Sequence, residues 1–319
     1  RDRHGGEDHV GEGFDCATHR QTLGPGAEQR RPVREHLREA SHRTVQREDR
    51  PFRVGLLPAV FRKRAHSVTR TPDWDGPVGH LIRGREAAER TAARINPRKL
   101  ESQSVNVIFD RRVSASLLGH FAGAINGASI ARGVSFLKEK LGQQVFKSDV
   151  TIVDDHHRLR GFSAKPFDGE GLPTQRRNFI DKGILTSWIM DLRSARQLNL
   201  QSTASASRGL ASNPSPSTSN LHMEAGTQSP ADMIRALNKG LLITEFIGNA
   251  NNAATGDYSR GASGFWIENG EIQFPVSEIT VAGNLNQMFL NLTPASGLEV
   301  RSSTNARSCL VEGMTLSGR

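Results

Sequence analysis

The 319-residue chain holds two cysteines and one tyrosine. Cys16 and Cys309 cannot build a disulfide framework, which excludes a stapled secreted scaffold and makes a reducing cytoplasm the expected compartment. No apolar run approaches the roughly 20 residues that span a bilayer, and no signal-peptide pattern opens the chain. No nucleophile elbow and no Ser-His-Asp order is present. The glycines from Gly256 to Gly264 lack the lysine of a phosphate-binding loop. No internal repeat is present. Charge of one sign is also missing: 42 Lys and Arg face 33 Asp and Glu, and no five basic residues run together. The net charge of +9 therefore reads as a solvated surface, and neither nucleic acid nor membrane is an expected partner.

Composition changes near residue 82. Residues 1–81 contain no Ile, Asn, Tyr or Met and a single Lys, Lys63. Seven of the eleven His lie in residues 1–82, with fifteen Lys and Arg against twelve Asp and Glu. So much charge with so few aliphatics cannot offset the entropy of ordering. Residues 1–82 are expected to be poorly ordered. Their bias toward residues of GC-rich codons, with no opening Met, reads as a wrong-frame translation or a gene fragment. Residues 83–319 suffice for one substantial core.

That second part carries recognisable strands and helices. Val105–Phe109 and Val150–Val153 read as strands, as does Ile184–Met190 after the turn residues Asp181-Lys182-Gly183. Leu117, Leu118, Phe121, Ala124, Ile125 and Ala128 give Ser114–Ala131 one apolar helical face. Gly119, Gly123 and Gly127 recur on it and predict close backbone packing. Val134–Leu141 reads as a short helix ending at Gly142, and Ser194–Leu200 as another. Residues 202–220 read as a loop. Ser229-Pro230 opens a helix to Lys239, stopped by Gly240, and Leu241–Phe246 is a strand. Asn269-Gly270 between two alternating runs is a type I′ hairpin signal. Glu278–Leu285 reads as a further strand. Short helices without regular βαβ alternation predict an α+β fold with a large, mainly antiparallel sheet.

The run from Gly256 through Thr280, including Gly261-Ala262-Ser263-Gly264-Phe265-Trp266-Ile267-Glu268-Asn269-Gly270, resembles the C-terminal signature of the TldD/PmbA family, on its PmbA (TldE) side. Phe162–Gly171, Ser194–Leu198 and Leu241–Gly248 agree in order, so the resemblance runs from about Gly84 onward. It implies a subunit of a bacterial cytoplasmic metalloprotease complex, in which a TldD-like zinc-bearing homologue is the partner and unfolded or leader peptides are substrates. It also implies a full N-terminal domain, which residues 1–82 do not match.

Catalytic members of the family carry a His-Glu-x-x-x-His helix, with two His on zinc and the Glu as general base. Here the matching stretch is Ala115-Ser116-Leu117-Leu118-Gly119-His120. Alanine has no donor atom and a serine hydroxyl is no base at neutral pH. His120 alone cannot hold zinc, so no catalytic or metal residue is expected in this chain and the zinc is expected in the partner. Asp154-Asp155-His156-His157 reads as a polar strand end, because neighbours on a strand face opposite ways. Cys309 reads as a buried small residue; the cysteine ligand of catalytic members aligns nearer Ala306. His222 reads as a surface residue. Asp168 and Glu170 read as a solvated turn, with Arg176 and Arg177 in reach to pair with them. Trp188 and Trp266 read as packing. Asp257, Tyr258 and Arg260 are the peptide-binding candidates.

Three functions follow. The first is a non-catalytic subunit that helps enclose a peptide, which strand edges would suit. The second is a metallopeptidase acting alone through His120, His156 and His157. The third is a non-enzymatic modulator of a toxin–antitoxin or DNA gyrase system.

Overall fold

The computed structural model describes residues 77–248, 251–298, 300 and 302–318, with side chains from residue 84 on. Residues 1–76, most of the segment read as poorly ordered, lie outside the described residues. Residue 82 falls within the first described helix.

In chain order the elements are α1 (Pro77–Ala92), β1 (Gln103–Phe109), α2 (Arg111–Ala124), α3 (Gly127–Ala131), β2 (Ile152–Asp154), β3 (Arg177–Asp181) and β4 (Ile184–Leu185). There follow α4 (Leu192–Gln197), β5 (Ala206–Ser207), β6 (Ser215–Pro216), β7 (Leu221–Met223), α5 (Pro230–Ala236), β8 (Lys239–Ile247) and β9 (Asp257–Glu268). The last are β10 (Glu271–Asn284), α6 (Leu285–Leu290), β11 (Leu292–Pro294), β12 (Thr304–Asn305) and β13 (Cys309–Ser317). The α+β class with a mainly antiparallel sheet is borne out.

The main sheet closes on itself. β1 pairs with β8 and β13, β8 with β9, β9 with β10, and β10 with β13. Only the β1–β8 contact in this ring is parallel. β11 extends β13 on the side that β10 leaves open. A second sheet runs in the order β12-β7-β2-β3-β4, and β5 pairs with β6.

The β9–β10 hairpin forms where Asn269-Gly270 predicts it, with φ of 53° and 78° at the two turn residues. A Cβ on Gly270 would lie 2.7 Å from the Arg235 carbonyl oxygen, so space also demands glycine. Beyond the turn, the two strands read from sequence are one. β10 runs unbroken from Glu271 to Asn284, and a bulge between Val276 and Ile279 absorbs the irregular Ser277-Glu278 step.

α2 begins at Asp110, whose carboxylate caps the Arg112 N–H. Its buried face is Val113, Ser114, Leu117, Leu118, Phe121 and Ala124. The expected continuous helix to Ala131 breaks at Ile125-Asn126. There the backbone turns to pair with Ile189: Ile189 N–H donates to Ile125 O at 3.0 Å, and Gly127 N–H donates to Ile189 O at 2.8 Å. Only one glycine of the repeat packs closely. A Cβ on Gly127 would meet Ile189 O at 2.8 Å, whereas Gly119 and Gly123 face open space.

Other boundaries also shift. Residues 134–142 form turns, because the Ser135 hydroxyl donates to Ala124 O and accepts from Leu137 N–H, holding the chain out of a helical ladder. Of the expected strand, Ile184–Leu185 joins a ladder and Ile189 makes only the isolated bridge to Asn126, and the 202–220 loop contains the β5–β6 hairpin. α4 starts two residues early, at the Asp191 capping box. α5 ends at Ala236, and Gly240 lies inside β8, where its missing side chain lets β1 approach: a Cβ would sit 3.2 Å from Asn106 O.

The principal core joins α2, the ring and the second sheet. At its centre the Phe121 ring meets Phe146 edge-on at 5.3 Å, and Phe146 stacks on Phe289 at 4.5 Å. A smaller cluster of Ile108, Met233, Leu237, Ile267 and Ala295 packs beneath α5. Trp188 and Trp266 are buried, as their packing role requires. No helix among the described residues is long and apolar enough to cross a membrane.

Candidate functional site

His120 stands in the last turn of α2, and Tyr258 is the second residue of β9. Their rings meet edge-on, with centroids 5.7 Å apart and planes at 78°. Tyr258 is 1 % exposed. Two residues on, and so on the same strand face, Arg260 lays its guanidinium 4.1 Å from the centre of the Phe246 ring. It also donates from Nη2 to Gly248 O at 2.6 Å. Phe246 stands opposite Ala262, so Arg260 is its diagonal cross-strand neighbour. The structure thus brings His120 together with Tyr258 and Arg260, two of the peptide-binding candidates. The third faces away. Asp257 is exposed, and its carboxylate accepts from Thr255 Oγ1 at 2.6 Å and Asn284 Nδ2 at 3.1 Å, which holds its pKa below the usual carboxylate range.

Three polar atoms in this cluster are buried without a hydrogen-bond partner: His120 Nε2, the Tyr258 hydroxyl and Arg260 Nε. Burial pushes the His120 pKa down and the Arg260 charge pushes it further. Burial pushes the Tyr258 phenol up, with Arg260 opposing and the neighbouring Cys309 thiol adding to the rise. Arg260 lies close enough to favour the phenolate, yet no hydrogen bond of good geometry joins them. At neutral pH the cluster is a neutral imidazole, a protonated phenol and one cation.

These groups do not fit a zinc ion. Zinc needs three or four ligands near 2 Å, and only one imidazole is available. Ala115 packs on the core, and the Ser116 hydroxyl donates to Val113 O at 2.6 Å within its own helix. Arg260 adds a positive charge that would repel a dication. Cys309 is free and 1 % exposed, in keeping with a small buried residue, and burial pushes its thiol pKa up.

The other polar motifs build a second hub. Asp154 is fully buried, and its carboxylate accepts from Ser219 N–H at 2.9 Å and Ser219 Oγ at 3.2 Å. His156 Nε2 lies 3.8 Å from it, with both side chains enclosed. Burial lowers the His156 pKa against the pull of Asp154, and burial raises the Asp154 carboxyl against His156 and Ser219. Within the polar strand end, Asp154 and His156 are thus interior, while Asp155 is half-buried and His157 exposed. His157 Nε2 meets Thr174 Oγ1 at 3.0 Å, and His222 Nδ1 meets Asn220 O at 3.1 Å. His222 is buried, not on the surface as its sequence context implied.

Asp168 corrects a further expectation. It does make a turn, but not a solvated one. Its carboxylate, 5 % exposed, accepts from Glu170, Leu172 and Ala206 N–H groups. Glu170 accepts from Leu192 N–H at 2.8 Å. Arg176 pairs with Glu224 instead, and Arg177 pairs with neither. The Asp168 turn was legible; its docking onto β5 was not, because nothing in the 202–220 composition announced a hairpin. Among the described residues no group of three or more His, Cys, Asp or Glu is placed to hold a metal ion, so His120, His156 and His157 do not form one site.

Residues 102–318 match the PmbA/TldA metallopeptidase C-terminal domain. The chain is 41 % identical over 257 residues to the metalloprotease PmbA of Escherichia coli O157:H7, covering 80 % of this chain and 53 % of that protein. It thus spans about half the length of the curated relatives it matches. A solved structure from Bacteroides thetaiotaomicron, described as a candidate modulator of DNA gyrase, superposes with a TM-score of 0.68 at 32 % identity, over 74 % of this chain and 52 % of that one. TldE from Thermococcus kodakarensis shares the fold, with a TM-score of 0.68 at 20 % identity over 74 % and 55 % of the two chains. The chain belongs to the TldD/PmbA metallopeptidase family.

Proposed function

We propose that this chain is a PmbA/TldE-type subunit that brings no catalytic metal of its own to a cytoplasmic metalloprotease complex. A TldD-like homologue would supply the zinc, and this chain would help enclose an unfolded or leader peptide. The supporting observation is chemical. Where catalytic members place a second imidazole and a carboxylate, this chain places Ala115 and a hydrogen-bonded Ser116, and the Arg260 charge disfavours a cation at the remaining His120.

The geometry also limits how a peptide could be held. Each strand of the closed ring already has two partners. β4, one of the two end strands of the second sheet, has its outer backbone bonded to residues 142 and 143. Strand addition, which free strand edges were expected to serve, is thus blocked at β4. Side-chain contact at the open end of β8 and β9 fits better. There Ile247 is 64 % exposed, opposite Gly261 and so beside Arg260.

The test uses the full chain, alone and mixed with a zinc-bearing homologue. Bound zinc is measured by atomic emission, and hydrolysis by release of fluorophore from an unstructured peptide. The expected outcome is no stoichiometric zinc and no turnover alone, with turnover on mixing. One zinc per chain with turnover in the lone protein would reject the proposal.

A further inference from the structure

β3 opens with Arg177, whose guanidinium lines a cavity of about 240 Å³ on the second sheet. Trp188, Met190 and Leu200 form apolar wall, while Thr186, Gln201 and Thr203 bring polar groups. Arg177 Nε is buried and has no hydrogen-bond partner. Among the described residues no carboxylate lies within ion-pair distance of this guanidinium. The neighbouring Arg176, by contrast, is paired with Glu224.

Arg177 is half-buried, and taking its Nε–H out of water without supplying an acceptor is costly. Nothing local offsets it. The Thr203 hydroxyl is already committed to the Met190 backbone and to Ser205, and it offers no charge. Burial accordingly lowers the Arg177 pKa with no charged neighbour to counter it. The planar fork of arginine matches a carboxylate through two parallel hydrogen bonds. The buried indole and Met190 beside it suit an apolar group attached to that carboxylate. The volume falls below the roughly 300–1,000 Å³ of a drug-sized site, so the ligand is small or is the end of a chain.

We propose that the Arg177–Trp188 cavity binds a carboxylate bearing a short apolar group, either a free small acid or the C-terminal residue of a peptide. The site does not depend on the subunit reading, and its test involves neither zinc nor turnover.

Calorimetric titration of the full chain with N-acetyl-leucine, N-acetyl-leucinamide and the tripeptide Ala-Ala-Leu decides it. N-acetyl-leucine should bind saturably at one site, and its amide at least about tenfold more weakly, since a charge-assisted pair is lost. Arg177→Gln should weaken the acid by a similar factor, while Arg176→Gln leaves it unchanged. Arg177→Lys, which keeps the charge without the fork, should fall between. The acid–amide comparison needs no variant and so survives any misfolding of Arg177→Gln. Tighter binding of Ala-Ala-Leu than of N-acetyl-leucine assigns the site to peptide ends, and the reverse assigns it to free acids. Equal binding of acid and amide, no saturation by either, or native affinity in a folded Arg177→Gln chain overturns the proposal.

Discussion

His120 is half-buried near a cation, Arg260, whereas His156 is buried beside an anion, Asp154. Both imidazoles are pushed toward the neutral form by burial, yet their surroundings differ. Around Asp154 the carboxylate accepts from the Ser219 backbone and hydroxyl, so the hub ties β2 to the stretch before β7. Around His120 three polar atoms are left without hydrogen-bond partners, and at the hub both ring nitrogens of His156 are left so too, so it is the Asp154 carboxylate alone that is satisfied there. A polar group that is satisfied locks a fold, while one left over is capacity the fold does not use. The Asp154 carboxylate with Ser219 therefore reads as architecture, whereas His120, Tyr258 and Arg260 keep polar atoms that the fold does not use.

Breaking the anion should hurt most. Asp154→Ala leaves Ser219 N–H and His156 without their partner in the interior, and should cost about 3 kcal/mol or more, read as a lower urea midpoint. A loss under about 1 kcal/mol would erase the contrast between the clusters. Acid should act next. His120, His156 and His222 all have folded pKa values below the unfolded 6.5. The unfolded chain thus takes up protons first, so their contribution is complete above pH 6.5 and shrinks as pH falls below it. Asp154, with a raised pKa, runs the other way near and above its unfolded 3.8 and partly offsets this. Urea midpoints from pH 7.5 to 5 should decline, and His120→Ala should flatten part of the decline. Smallest is Tyr258→Phe. Its hydroxyl has no hydrogen bond to lose, so stability should stay within about 0.5 kcal/mol or rise slightly in thermal melts. A loss near 2 kcal/mol would show that the phenol is satisfied.

Much of this was visible in the chain itself. Asn269-Gly270 and Ser229-Pro230 each encode a local conformation, and each element formed nearby; the helix expected from Ser114 starts three residues earlier, at the Asp110 cap. The stretch Ala115-Ser116-Leu117-Leu118-Gly119-His120 was likewise read as helical, and it lies within α2. Long-range pairing was less accessible. The break at Asn126 depends on Ile189, more than sixty residues away, and local periodicity carries no trace of it. The burial of His222 and Asp168 depends on the second sheet and on β5, elements of two or three residues too short to leave a pattern. Arg260 over Phe246 needs a cross-strand register, which the hairpin fixes only once β8 is known to join it. Arg177 gave no signal, because its isolation is defined by what surrounds it in space.

The cyclic strand arrangement has one more consequence. β13 meets β1, some two hundred positions earlier, and β10 on its other flank. Neither neighbour can finish its ladder until Cys309–Ser317 exists, so everything through Ser317 must leave the ribosome before the ring can lock. Until then β1 and β10 present bare backbone to whatever is nearby. That makes the unfinished protein a natural client for chaperones and an easy target for aggregation.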